Sequence, residues 1–205
     1  SMCISIATMP EIDSLGVPAF LDSIGNAHLQ ISDNRSVQKW FDQGLNLLHG
    51  FWHIEAFRSF REIVKIDSTN AMAWWGIAMC QPGFGGDYYQ PFLEAIQKAQ
   101  KYKSDLPQLH QDIIGATAKL VSEGINGGQT PFRQLYHQYP DNTEVAALAS
   151  IILRMHEDEA TQQEVKRLLE RHLKLNPNHT ALLHYYIHLM ETRPTEYSYA
   201  LDEAT

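Results

Sequence analysis

Apolar residues recur along most of the chain at the three- and four-residue spacing of an α-helix, and the strict alternation typical of strands is scarce. Over 36–49, for example, Val37, Trp40 and Leu47 fall on one side of a helix. A second stripe covers 54–66, and a short polar stretch separates the two. The pattern therefore predicts an all-α chain built from consecutive helices.

The predicted helices are not spread evenly over the chain. Residues 1–35 contain several breaks, including Pro10, Gly16 and Pro18, and are predicted to be irregular. Short polar loops join the later helices, which favours antiparallel packing of neighbours. The sequence thus predicts an irregular N-terminal segment over 1–35 and one helical repeat domain over 36–205.

A periodic signal links the first predicted helix pairs. Trp40 and Trp74 are 34 residues apart, and 34 residues is the period of the tetratricopeptide repeat. Gly44 stands where two paired helices must approach closely, and Ala56 and Phe60 occupy the small and aromatic positions of the second helix. On these residues the chain resembles the tetratricopeptide repeat family. The resemblance implies a right-handed α-solenoid whose concave groove binds a peptide or another protein.

A narrower resemblance rests on the strings at 40–45, 53–56, 71–76 and 184–188. They are similar to a group of uncharacterised bacterial tetratricopeptide-repeat proteins, which usually continue for further repeats. The resemblance implies that this chain is a piece of a longer repeat protein, and it leaves the biochemical role open. It is strongest over 36–80, weakest over 81–160 and intermediate over 161–204.

Groove-facing residues follow from helical spacing. Four residues of the first helix lie off the apolar stripe and are predicted to line a polar groove: Gln38, Asp42, Gln43 and Asn46. Trp75 and Tyr185 are the corresponding candidate contact aromatics. Recognition of a peptide would then combine polar contacts with aromatic anchors.

Composition narrows the function classes. The chain has 205 residues and a net charge of −8, which argues against a protein that mainly grips the phosphate backbone of nucleic acids. Two cysteines, Cys3 and Cys80, cannot supply a thiolate zinc framework. No segment reaches the roughly 20 apolar residues that span a bilayer. Ten histidines are unusual for such a chain.

One histidine cluster has the spacing of a metal site. His184, His188 and Glu191 stand at i, i+4 and i+7, which places all three on one stripe of a helix. Two imidazoles and a carboxylate can hold a divalent transition metal such as Zn, Cu, Ni or Fe, and His179 is a candidate fourth ligand. The alternative is a satisfied or solvated polar stripe. Position 185 is Tyr, so the base of a zinc peptidase is missing.

A second histidine pair, His49 and His53, flanks the turn between the first two predicted helices. The pair is a second candidate for metal binding. The alternative is that His49 faces the groove and His53 helps to cap the second helix. A joint site of His53 with the stripe at 184–191 would require tight curvature of the solenoid.

The favoured function is therefore a protein- or peptide-binding module of the tetratricopeptide type. No complete catalytic motif is identified, so the sequence favours a non-enzymatic role over an enzyme, and the divalent transition metal of the histidine stripe is the one cofactor it suggests. The alternative is a metal- or small-ligand-binding helical protein that uses the histidine stripe, and a metal-dependent enzyme is the weaker variant of it. If the chain is bacterial, it is expected in the cytoplasm or the periplasm.

Overall fold

The computed structural model describes residues 15–80, 89–156 and 158–191. These residues form helices joined by turns and irregular segments, and no strand occurs among them. The predicted all-α class is confirmed, whereas the antiparallel solenoid arrangement stays a prediction. The helices are α1 (Arg35–His49), α2 (His53–Ile66), α3 (Ala71–Met79), α4 (Tyr89–Tyr102), α5 (Gln108–Gln138), α6 (Thr143–Leu153), α7 (Glu159–Leu175) and α8 (Thr180–Glu191).

Most predicted helix boundaries agree with these bounds to within a few residues. The sequence also predicts a glycine-rich loop at 81–90 and a last helix at 196–204. Residues 81–88 and 196–204 lie outside the described residues, and residues 89 and 90 belong to α4. Over the described residues, no helix combines the length and the apolar character that crossing a bilayer requires.

Asparagine residues form the N-caps of several helices. The Asn34 side chain accepts hydrogen bonds from the backbone N–H groups of Ser36 and Val37, so Asn34 caps α1. Asn70 caps α3 and Asn142 caps α6 in the same way. A side-chain oxygen at this position satisfies backbone donors that have no partner inside the helix.

The chain divides into two compact units, and each is described by itself. Unit 1 comprises Ser1–Ile24 and His28–Ile114, and unit 2 comprises Gly25–Ala27 and Gly115–Thr205. The boundary falls inside α5. Within α5 the chain leaves helical geometry at Gly124, whose φ of 72° suits glycine. The sequence predicts a helix end at this residue, and the break agrees with it.

In unit 1, α1 packs against α2 and α3, and α3 also packs against α2 and α4. The ring of Phe60 on α2 lies against two glycines of the neighbouring helices. A Cβ built on Gly44 would lie 2.6 Å from Phe60 Cε1, and one built on Gly76 would lie 2.6 Å from Phe60 Cδ1. Only glycine leaves room for a fully buried phenyl ring at these two positions.

In unit 2, α6 packs against α7 and α8, and α7 also packs against α8. Here a helix rich in small residues makes the close approach, since Ala146, Ala147 and Ala149 have no exposed surface. At the start of α8, the Asn26 side chain accepts a hydrogen bond from Thr180 N at 3.0 Å and donates one to Asn178 O at 2.9 Å. Both contacts lie within unit 2.

Candidate functional site

The polar side of α1 holds the irregular segment that precedes it. Gln38, predicted to face a groove, donates from Nε2 to Leu29 O at 3.0 Å. Its Oε1 accepts from Ile31 N at 2.8 Å and from Ser32 N at 3.2 Å. The carboxamide of one glutamine therefore pairs with three backbone groups of the residues at 29–32.

Asp42 lies one turn further along the same side of α1. Its Oδ1 accepts from Gln38 Nε2 at 2.8 Å and lies 2.9 Å from His28 Nδ1. Leu29 is buried, whereas its neighbours His28 and Gln30 are exposed. Alternating burial of this kind is typical of an extended chain that rests one edge on a surface. We call Gln38 and Asp42 the α1 polar surface.

Two further side chains hold the same N-terminal region: Gln43, which the sequence also places in the groove, and Arg58, which the sequence does not place there. Buried Gln43 accepts from Leu21 N at 2.9 Å and donates to Ala19 O at 3.1 Å. Arg58 Nη2 donates to Leu15 O at 3.1 Å. Gln43 does not face a groove but lies on the buried side of α1, where its Nε2 also contacts Ser59 Oγ of α2 at 3.2 Å. A polar group there requires a partner.

Three further predicted groove residues also turn inward. Trp75 and Tyr185 have 0% and 1% of their surface exposed, so both are core residues and not accessible contact aromatics. Asn46 is also buried, and its amide donates to Asp42 O of its own helix at 2.8 Å. The physical reason is that α1 and α3 each pack against at least two other helices. A residue that lies off the main apolar stripe can therefore still be buried against one of them.

The predicted stripe on α8 forms one connected set. His184 Nε2 and His188 Nε2 lie 2.9 Å apart, and His188 Nδ1 lies 2.8 Å from Glu191 Oε2. Both histidines are half-buried, and the Glu191 carboxylate is exposed. Glu191 therefore contacts the second ring nitrogen of His188. This position orients the imidazole and differs from the third-ligand role that the sequence predicts.

His179, the candidate fourth ligand, makes a different contact. Its Nε2 lies 3.0 Å from Glu144 Oε1 on α6, and both side chains are buried. Its Nδ1 accepts from Leu182 N at 3.4 Å, near the first turn of α8. His179 thus links α6 to α8 in the interior of unit 2.

The other histidine pair lies in unit 1. His49 is buried, and the His53 ring stacks on Phe51 with ring centroids 6.2 Å apart. Burial lowers the pKa of His53, because the protonated imidazole loses hydration there. Within the ranges that the structure describes, no group of three or more His, Cys, Asp or Glu residues is arranged to hold a metal ion.

Burial also dominates the electrostatics around α8. It lowers the pKa of Arg154, and the charge of Glu191 acts in the opposite direction. It raises the pKa of Tyr185 far above its usual range, with a further contribution from Glu144. Tyr185 therefore stays a neutral phenol.

Comparison of the chain with protein-family models, with curated proteins and with solved structures finds no match.

Proposed function

We propose that this protein is a peptide-binding module of the tetratricopeptide type, and that the α1 polar surface recognises an extended peptide backbone. The single observation that carries the proposal is the set of hydrogen bonds from Gln38 to Leu29 O, Ile31 N and Ser32 N. In the structure the chain's own segment at 28–32 occupies this surface.

The chemistry of the contact supports peptide recognition. A carboxamide offers both a donor and an acceptor, so it can pair with the carbonyl and N–H groups that every extended peptide presents. Such contacts give affinity with little dependence on side-chain sequence. Asp42 adds preference at one position, because its carboxylate lies 2.9 Å from the His28 imidazole and favours a cationic or hydrogen-bonding side chain.

The helical framework supplies a rigid base for this surface. Gly44 lies on α1 between the surface and Phe60, and its contact with the Phe60 ring fixes the spacing of α1 and α2. A partner peptide would compete with the segment at 28–32 for the same atoms. The apparent affinity for a partner is then reduced by the fraction of molecules in which the segment is bound.

The test uses the full chain and a fluorescent synthetic peptide with the sequence of residues 28–33. Leu29→Asp places a carboxylate at a buried apolar position and should release the segment. We expect this variant to bind the peptide more tightly than the unmodified chain, as measured by fluorescence anisotropy. Adding Gln38→Ala should weaken binding about tenfold or more, since three hydrogen bonds to the peptide are lost.

Two controls sharpen the result. Val17→Asp changes an exposed residue of the same N-terminal region and should leave peptide binding as in the unmodified chain. Ile31→Pro removes the backbone N–H that donates to Gln38 Oε1. It should therefore release the segment without a charged substitution and replaces Leu29→Asp if that variant does not fold. Equal binding with and without Gln38, or no binding by either released variant, would contradict the proposal.

A further inference from the structure

The histidine stripe of α8 does not belong to the α1 polar surface. His184 and His188 are half-buried, so solvent reaches the pair, and Tyr185 between them is turned into the core. The two Nε2 atoms lie 2.9 Å apart and the ring centroids 4.6 Å apart.

We propose that α8 carries a binding site for a divalent transition-metal ion, held by His184 Nε2 and His188 Nε2, with Glu191 as the residue that orients His188. Water or a group from another molecule completes the coordination. This proposal is independent of the peptide-binding proposal, because it uses different residues on a different helix.

The distance between the two Nε2 atoms can be compared with the distance expected for two imidazoles that share one metal ion. Metal–imidazole bonds are about 2.0–2.1 Å long, so two such ligands at a right angle place their nitrogens about 2.9 Å apart, and at a tetrahedral angle about 3.3 Å. The separation of 2.9 Å between His184 Nε2 and His188 Nε2 is the length of the hydrogen bond between the two rings. It lies close to both values, so a small rotation of either ring would let the pair hold nickel, copper or zinc.

Glu191 selects the form of His188 that a metal requires. Its carboxylate lies 2.8 Å from His188 Nδ1, so the proton of the neutral imidazole is held on Nδ1 and His188 Nε2 accepts a hydrogen bond from His184 Nε2. A metal ion would replace the proton between the two Nε2 atoms, and His184 would then carry its proton on Nδ1. A carboxylate behind a histidine ligand both fixes the ring and raises its basicity.

The donor atoms of this site do not suit hard cations such as calcium and magnesium. Calcium and magnesium require several oxygen ligands, whereas the two facing ligand atoms here are nitrogens. Affinity then depends on the nitrogen lone pairs, and borderline metals bind such donors best.

The test is calorimetric titration of the full-length protein with nickel chloride. We expect one site that binds nickel at least tenfold more tightly than the remaining histidines do. His184→Ala and His188→Ala should each remove that site, while His137→Ala, a change at an exposed histidine of α5, should leave it intact. Glu191→Gln should weaken the site by about 10–100-fold, as for other residues behind a metal ligand.

Three further measurements separate loss of the metal site from loss of the fold. Circular dichroism of each variant shows whether α-helix content is retained, and titration with calcium chloride should give no binding at this site. In histidine-labelled protein, zinc should shift the Nε2 resonances of His184 and His188 before those of other histidines. Nickel binding that is the same in both alanine variants as in the unmodified chain would overturn the proposal, as would calcium binding that both variants lose.

Discussion

The two units bring three helices together with different interiors. In unit 1 a large ring, Phe60, fills the space between helices, and glycines at 44 and 76 make room for it. In unit 2 the small residues of α6 provide the close approach, and a buried contact between His179 and Glu144 links α6 to the start of α8. Unit 1 therefore makes its close helix approach around one aromatic side chain, whereas unit 2 makes it through small residues; buried polar contacts occur in both units.

The difference predicts different weak points. Truncating a buried apolar side chain lowers the free energy of unfolding by leaving a cavity, because neighbouring atoms relax only in part. A buried polar contact loses stability when one partner is removed, since the other partner remains buried without water. Tryptophan fluorescence can separate the two effects, because Trp40, Trp52, Trp74 and Trp75 all lie in unit 1.

The largest expected effect is that of Phe60→Ala in unit 1. Loss of this fully buried ring leaves a cavity beside Gly44 and Gly76, and we expect the free energy of unfolding to fall by about 3–5 kcal/mol. Denaturant unfolding followed by tryptophan fluorescence measures the change. Phe20→Ala is the matched control, because the Phe20 ring is 40% exposed. A loss for Phe60→Ala no greater than that for Phe20→Ala would contradict the proposed role of the ring.

The next effect concerns Glu144→Gln in unit 2. The change removes the carboxylate that contacts His179 at 3.0 Å in a buried position, and we expect a loss of about 1–3 kcal/mol. Hydrogen exchange read by mass spectrometry should increase over α6 and α8. Glu164→Gln is the control, because the pair that Glu164 forms with Arg133 is part-exposed and should contribute less than about 1 kcal/mol. Equal losses in the two variants would show that burial does not set the cost.

The smallest expected effect is a gradual loss of stability in acid. Burial lowers the pKa of His53 and His110 in unit 1 and of His172 in unit 2 below 6.5. The unfolded chain therefore binds more protons than the folded chain once the pH falls through about 6.5, and the free energy of unfolding decreases below that pH. Above it these histidines are neutral in both states and contribute no pH dependence.

Thermal unfolding at about pH 7.5 and about pH 5.5 measures this effect. His172→Gln should flatten the decrease detected by hydrogen exchange over α7, and His137→Gln, at an exposed position, should not change it. A melting temperature that rises on acidification would contradict the sign.

Local sequence features were sufficient for the helices and for part of the candidate site. Periodicity indicated the helices, because an apolar stripe must be buried whatever the final arrangement. The i, i+4 spacing placed His184 and His188 together, since both lie on one helix. It could not assign Glu191, because whether a carboxylate meets the metal position or the far nitrogen depends on side-chain rotamers.

The sequence predicts the contacts of the groove residues less well than it predicts the helices. Gln38 and Asp42 were correctly recognised as a polar side of α1, yet their contact with the segment at 28–32 could not be foreseen. That segment carries no helical pattern, and its contacts use backbone atoms, which every residue possesses. Trp75 and Tyr185 were placed on a surface because a helix pattern alone does not reveal how many neighbours a helix has.

The sequence by itself determined the all-α class, the helix bounds to within a few residues, and the pairing of histidines along α8. These depend on interactions between residues at most a few positions apart. Only the tertiary structure decided that Phe60 rests on both Gly44 and Gly76, that His179 contacts Glu144, and that Gln38 holds the backbone at 29–32. Such contacts join residues distant in sequence, and their partners are selected by packing of whole helices.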